Sequence, residues 1–239
     1  MARPTDLFQR KAPRFLAGIL ALGASATMAL AHGDVAPQAV DTAGLPAVGD
    51  EWLTENPYRV DAVGEQVWAK ALEIGASGYN QNCARCHGLE AISGGLAPDL
   101  RFLEAEEYGD EWYVERFRYG YTQNGITKMP EFGDLLGQEA AWAIRTYIET
   151  RPDDGSMEEV SDELKGIRDM LVGYADDPSG ADPDALKARL TEIADGIETL
   201  SGAPRADSAA SRAAQLIDGT EASYARAAEA LTIGLSAAH

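Results

Sequence analysis

The chain has 239 residues, with 39 acidic and 20 basic side chains and a formal charge of −19. A surface of this sign repels nucleic acid and anionic lipid, which excludes those partners and points to basic groups on a protein partner. Two cysteines in the whole chain exclude a disulfide-rich scaffold and a four-cysteine metal site.

Residues 1–31 read as a secretory signal peptide. Arg3, Arg10, Lys11 and Arg14 stand against a single acid, Asp6, and the run FLAGILALGASATMALA follows, ending in the small-x-small triplet Ala29-Leu30-Ala31. That run is too short and too rich in Gly and Ser for a membrane span. Cleavage after Ala31 is expected, leaving an exported, periplasmic chain with no stable membrane insertion; an uncleaved anchor is the alternative. Beyond the cleavage point, residues 32–151 carry 20 acids and 9 bases and residues 152–239 carry 18 and 7, so each part stands at −11.

Pro37, Pro46 and Pro57, with scattered glycines and no sustained period, make residues 32–60 an extended arm. Val67, Ala71, Ile74 and Tyr79 then recur at helical spacing between Gly64 and Gln81, and this helix runs straight into the stretch NQNCARCHG. GLEAISGGLAPDL reads as a loop. A short helix over Glu111 to Arg118, a second loop over TQNGITKMPEFGDL and a closing helix over Gln138 to Thr150 come next. No strand pattern competes.

After Arg151 the composition changes. Val160, Leu164, Ile167 and Leu171 form one apolar stripe, and Leu186, Leu190, Ile193, Ile197 and Leu200 form another. Pro178 and Pro183 separate them, and Asp182 is placed to cap the second helix. Alanine-rich residues 206–236 suggest a third. The expectation is an all-α chain: a helical domain over 32–151 and a small acidic, Ala-rich helical appendage over 152–239. A partly disordered acidic tail is the competing reading, because alanine stripes bury little area.

The chemistry lies in Cys83-Ala84-Arg85-Cys86-His87. C-x-x-C-H is the attachment signature of c-type haem. On one helical turn the two sulfurs share a face and can reach one porphyrin edge, and His87 is held where it can ligate iron. A thioredoxin-like dithiol would need alternating strands and helices around it. A zinc site would need further ligands, and the other two histidines, His32 and His239, lie far from the motif in sequence. The reading is one covalent haem c, bound through Cys83 and Cys86, with His87 as an axial ligand. Distal candidates are Met129, Met157, Met170 and the remote histidines. Met129 is favoured, because Pro130 restricts the conformation of its loop and Met/His ligation is a recognised haem pairing that raises the potential. Such a pair leaves no open coordination position, so the expected role is electron transfer and not catalysis.

Helix, C-x-x-C-H, a Pro98-containing loop, a Met-Pro loop and a closing helix together resemble the class I bacterial cytochromes c. The phrases HGDVAPQAVDT, YNQNCARCHGLEAISGGLAPDLR and MPEF look like the cytochrome c-550 family associated with PQQ-dependent alcohol dehydrogenases. That resemblance covers about residues 32–151. It implies a class I cytochrome c domain and a carrier that takes single electrons from a quinoprotein alcohol dehydrogenase and passes them to a terminal oxidase or another cytochrome. It also implies the same four haem residues: Cys83, Cys86, His87 and Met129. The appendage departs from the family pattern. Alternatives are a haem-based gas or redox sensor and a cytochrome subunit docked permanently through the appendage. Since every proposed ligand precedes the appendage, truncation after Asp154 is expected to leave the haem spectrum and potential unchanged.

Overall fold

The computed structural model describes residues 36–237. The signal segment 1–31, His32 and His239 lie outside the described residues. The first helix, α1, spans Val60–Asn82, with Gly64 (φ 75°) kinking its first turn. Regular geometry therefore sets in just where the apolar period begins. At Cys83 the chain breaks and restarts as the single turn α2, Ala84–His87. Beyond it lie helices α3, Glu107–Tyr119, and α4, Gly133–Glu149; α4 is kinked at Gly137 (φ 76°), so its long regular part starts at Gln138, as the pattern predicts.

The segment expected to be a plain loop between α3 and α4 is instead an antiparallel hairpin, β1 Tyr121–Gln123 and β2 Ile126–Met129. Gln123 pairs with Ile126 across the two-residue turn Asn124-Gly125, both at positive φ (52° and 74°). Asn-Gly is the residue pair that such a primed turn selects, so the signal is present in TQNGITKM. Three- and four-residue strands are too short to show an alternating period.

The core of this part runs through Trp142, Ile144, Tyr147, Phe117, Tyr113 and Tyr79. Helices α1 and α4 cross at Gly75, where a Cβ would lie 2.0 Å from the carbonyl oxygen of Ala143. Only a glycine allows that approach. The N-terminal arm is strapped across α4: the Gln138 carboxamide accepts from Leu53 N at 2.6 Å and donates to the carbonyls of Gly49 and Glu51. Behind it lies a buried ionic cluster. Asp110, fully buried, accepts from Asn56 N (2.8 Å), Arg59 Nη2 (2.8 Å) and Arg145 Nε (2.7 Å), and Arg59 also reaches Glu149. Each buried charge thus has partners, the condition under which burial is tolerable.

Residues beyond Pro152 form four helices, one more than expected: α5 Asp154–Asp176, α6 Pro183–Asp195, α7 Ala209–Leu216 and α8 Glu221–Ala237. Asp182 caps α6 through Ala185 N at 3.0 Å, with Pro183 in the first turn, as its sequence suggests. The third predicted helix is split at Asp218-Gly219-Thr220, where Gly219 has φ 91° and Asp218 Oδ1 accepts from Thr220 N. Leu164, Leu171, Leu190, Ala210, Ala213 and Leu231 are fully buried in the bundle core. Alanine here allows close helix contact, which answers the objection that alanine stripes bury little. Among the described residues no helix is long and apolar enough to cross a membrane.

Candidate haem-binding site

Tyr79, buried near the end of α1, donates its hydroxyl to Gly88 O at 2.8 Å and so ties the far end of the motif back to the helix that delivers it. Between these points the chain makes one tight turn: Cys86 N and His87 N both donate to Cys83 O, at 3.1 and 3.0 Å. This turn brings the two thiols and the imidazole onto one short element. Gly88 (φ 85°) then reverses the backbone, and a Cβ there would lie 1.8 Å from Ile92 O.

The His87 imidazole is oriented by a backbone group. Its Nδ1 lies 2.9 Å from the carbonyl oxygen of Pro98. A carbonyl can only accept, so Nδ1 is the donor, and in the neutral imidazole Nε2 then keeps its lone pair, the form a metal-ligating histidine needs. In sequence Pro98 marks only a loop, and no local pattern signals its role as the partner of His87. Asp99 and Arg101, just beyond it, hold this carbonyl's segment in place. Asp99 Oδ1 accepts from Arg101 N and Nε, Asp99 Oδ2 accepts from Arg101 Nη2, and Arg101 Nη1 binds both carboxylate oxygens of Asp154 at 3.0 Å.

Both cysteines are free, and Cys83 packs against the same core as Met129. Burial, with a smaller contribution from Cys86, pushes the Cys83 thiol up to about 12. A redox-active C-x-x-C needs its thiol pushed the other way, which disfavours the dithiol reading. Among the described residues no group of three or more His, Cys, Asp or Glu side chains is placed to hold a metal ion.

Met129 ends β2 beside the core, and the hairpin closes beneath it through Gly120 (φ 65°), whose Cβ would lie 2.4 Å from Met129 O. The competing methionines are elsewhere. Met157 is buried in the C-terminal bundle core and Met170 is exposed on α5. Around the motif Leu89, Leu96 and Phe102 are exposed apolar side chains, 73%, 76% and 62% accessible. Exposed apolar side chains in the segment that follows the motif, together with two free thiols and an oriented imidazole, fit a large flat apolar cofactor.

A helix ending in C-x-x-C-H, a proline carbonyl behind the histidine and a methionine-bearing hairpin beside the same core define a single-haem c-type cytochrome. The comparisons with known proteins agree. The family model described as cytochrome c oxidase, cbb3-type, subunit III, matches residues 70–148. The chain is 54% identical over 137 residues, 56% of its own length and 92% of the relative's, to a protein named cytochrome c550 from Pseudomonas aeruginosa. It is 34% identical over 84 residues to quinohemoprotein alcohol dehydrogenase ADH-IIG of Pseudomonas putida, and 34% identical over 99 residues to ADH IIB of the same species. Those two matches cover 35% and 40% of this chain but only 11% and 14% of the relatives. No solved structure gives a significant match. The chain belongs to the c-type cytochromes of class I, similar to cytochrome c550: an electron carrier, not an enzyme, with covalently bound haem c.

Proposed function

We propose that this cytochrome is an exported periplasmic carrier that accepts single electrons from a PQQ-dependent alcohol dehydrogenase and passes them to a terminal oxidase or another cytochrome. In this reading residues 32–151 are the haem domain and residues 152–239 an appendage to it. Haem c, when bound, supplies a one-electron Fe(III)/Fe(II) couple. Cys83 and Cys86 would hold it through thioether bonds, and His87 and Met129 would ligate its iron. The observation that carries the assignment is the 2.9 Å contact from His87 Nδ1 to Pro98 O, which leaves Nε2 free for iron. Met129 is preferred on the far side because, unlike Met157 and Met170, it borders the core that Cys83 also touches. With two side chains on the iron, these residues would leave no position for a substrate, and the group would supply electron transfer and not catalysis.

The donor is inferred from the two alcohol dehydrogenase relatives, whose names join a quinoprotein and a haem protein in one chain. Oxidation of an alcohol to an aldehyde releases two electrons and two protons, so two molecules of this carrier are reduced per alcohol. The charge of −11 on each part of the exported chain calls for basic groups at the donor's exit site. The test is reduction of the purified holoprotein by a PQQ-dependent alcohol dehydrogenase plus alcohol, followed in the visible spectrum. The expected stoichiometry is two carriers per alcohol. The rate should fall as ionic strength rises to physiological, where the screening length is about 8 Å. Rapid reduction by a quinol-oxidising complex, with none by quinoprotein dehydrogenases, would remove the alcohol assignment and leave the carrier. Separately, a Met129→Ala protein that keeps the far-red sulfur-to-iron band would remove Met129 as ligand.

A further inference from the structure

The loop from Gly88 to Arg101 carries the carbonyl that orients His87, and the C-terminal bundle grips it at both ends. At the near end Arg151, 1% exposed, donates from Nη1 to Glu90 Oε2 at 2.6 Å and from Nη2 to Asp207 Oδ2 at 2.5 Å. Asp207 belongs to the segment leading into α7 and is itself held by Arg212. Arg151 stacks on Tyr147 at 3.9 Å from the ring centroid, and Tyr147 lies against Tyr79, which binds Gly88 O. At the far end Arg101, 5% exposed, joins Asp99, directly after Pro98, to Asp154, the first residue of α5.

Glu90 and Ala91 show why the near end needs holding. Both are non-glycine residues at positive φ, 54° and 62°. Such residues are held in a sparsely populated, strained region, and persist only where their surroundings over-determine them. What over-determines Glu90 is a fully buried guanidinium, and half of that guanidinium's pairing comes from the bundle. Without Asp207, Arg151 would keep a buried positive charge with one partner that is itself 41% exposed.

We propose that the C-terminal bundle is a clamp on the haem loop: Asp207, through Arg151 and Glu90, and Asp154, through Arg101 and Asp99, fix the backbone on either side of His87 and Pro98 and so keep water and motion from the proximal side of the haem. Asp207 and Asp154 are positioning residues, since neither touches the cofactor. This inference rests on His87 being an axial ligand. It reverses the expectation that the appendage is indifferent to the haem.

The experiment uses the full-length holoprotein with Asp207→Asn, Glu90→Gln and Asp154→Asn, each isosteric, and Arg189→Gln as control. Arg189 pairs with Glu163 and Glu192 on the bundle surface, far in sequence from the loop. Amide exchange over residues 88–101 should speed up about tenfold or more in Asp207→Asn and Glu90→Gln, the loss of one charge-assisted bond. It should stay at the wild-type rate in Arg189→Gln. Exchange over residues 68–79 should not change in any variant. Because water stabilises the charged ferric form, the reduction potential should fall in Asp207→Asn and Asp154→Asn and not in the control. In the double variant Glu90→Gln/Asp207→Asn the two effects should be markedly less than additive, since both act through Arg151. Unchanged loop exchange, or exchange raised uniformly along the chain, overturns the clamp. Faster loop exchange with an unmoved potential overturns its link to the iron. A wild-type spectrum lacking low-spin haem would instead remove the ligand assignment on which the inference rests, while exchange still reports on the clamp.

Discussion

Gly75→Ala should destabilise the protein although alanine is the better helix former. At the crossing of α1 and α4 the added Cβ would lie 2.0 Å from Ala143 O, 2.6 Å from Ala143 C and 3.0 Å from the Tyr147 Cβ. Comfortable contact between such atoms lies near about 3.5 Å. The helices must therefore separate by about 1.5 Å, and the first two atoms are backbone, which cannot rotate aside. Overpacking of this kind costs roughly 1–3 kcal/mol, against a gain of about 0.5–1 kcal/mol from replacing a mid-helix glycine. A net loss of about 1 kcal/mol lowers Tm by roughly 2–4 °C for a chain of this size. Gly166→Ala, in the middle of α5, is the control, because nothing lies within 4 Å of its added Cβ. There only the propensity gain remains, and Tm should rise by about 1–4 °C. Thermal unfolding followed by far-UV circular dichroism on both holoproteins reads the two signs directly. A Gly75→Ala protein that melts at or above wild type, or two variants that shift in the same direction, would refute the close approach of α1 and α4.

Asp110→Ala should cost about 3–5 kcal/mol by denaturant titration, since it removes the closer carboxylate partner of the buried Arg145 guanidinium and leaves Glu149 at 3.7 Å; removing the exposed Lys165–Asp162 pair should cost less than about 1 kcal/mol. Gly120→Ala should weaken the far-red methionine band before it lowers Tm, because it forces a side chain at φ 65° against Met129 O; an intact band would show that the hairpin does not position Met129. Burial works to raise the Asp207 carboxyl, but Arg151 and Arg212 outweigh it and hold it below the ordinary carboxylate range. A depressed folded value gives stability that is full above the unfolded value near about 3.9 and is lost as pH falls through the folded one. Urea midpoints from pH 6 down to pH 3 should therefore fall less steeply in Asp207→Asn than in wild type, and equal slopes would count against the pairing.

How much of this was legible in the sequence depended on whether the cause was local. The C-x-x-C-H turn, the helix leading into it and the Asp182 cap are set by residues within four positions of one another, and all appear where the sequence places them. The hairpin was also local, written in Asn124-Gly125, but its strands were too short to announce themselves by alternation. The split of the last predicted helix was signalled by Asp218-Gly219 and hidden by the alanine content on both sides.

What no local pattern could show is the grip of the bundle on the haem loop. Arg151 and Asp207 are 56 residues apart, Arg151 and Glu90 are 61, and Arg101 and Asp154 are 53. In sequence Arg151 is one base beside a Pro-Asp-Asp-Gly break and looks like the end of a domain. In the fold it is buried at the junction, its positive charge kept by Asp207, Tyr147 and Glu90 against the burial that would otherwise lower its affinity for the proton. A compositional boundary after residue 151 thus separates two hydrophobic cores while leaving their polar networks continuous. The apolar pattern of a sequence reports cores, and charge pairing across them reports coupling. An appendage that departs from the family pattern is for that reason better tested as a part of the haem site than as a passenger on it.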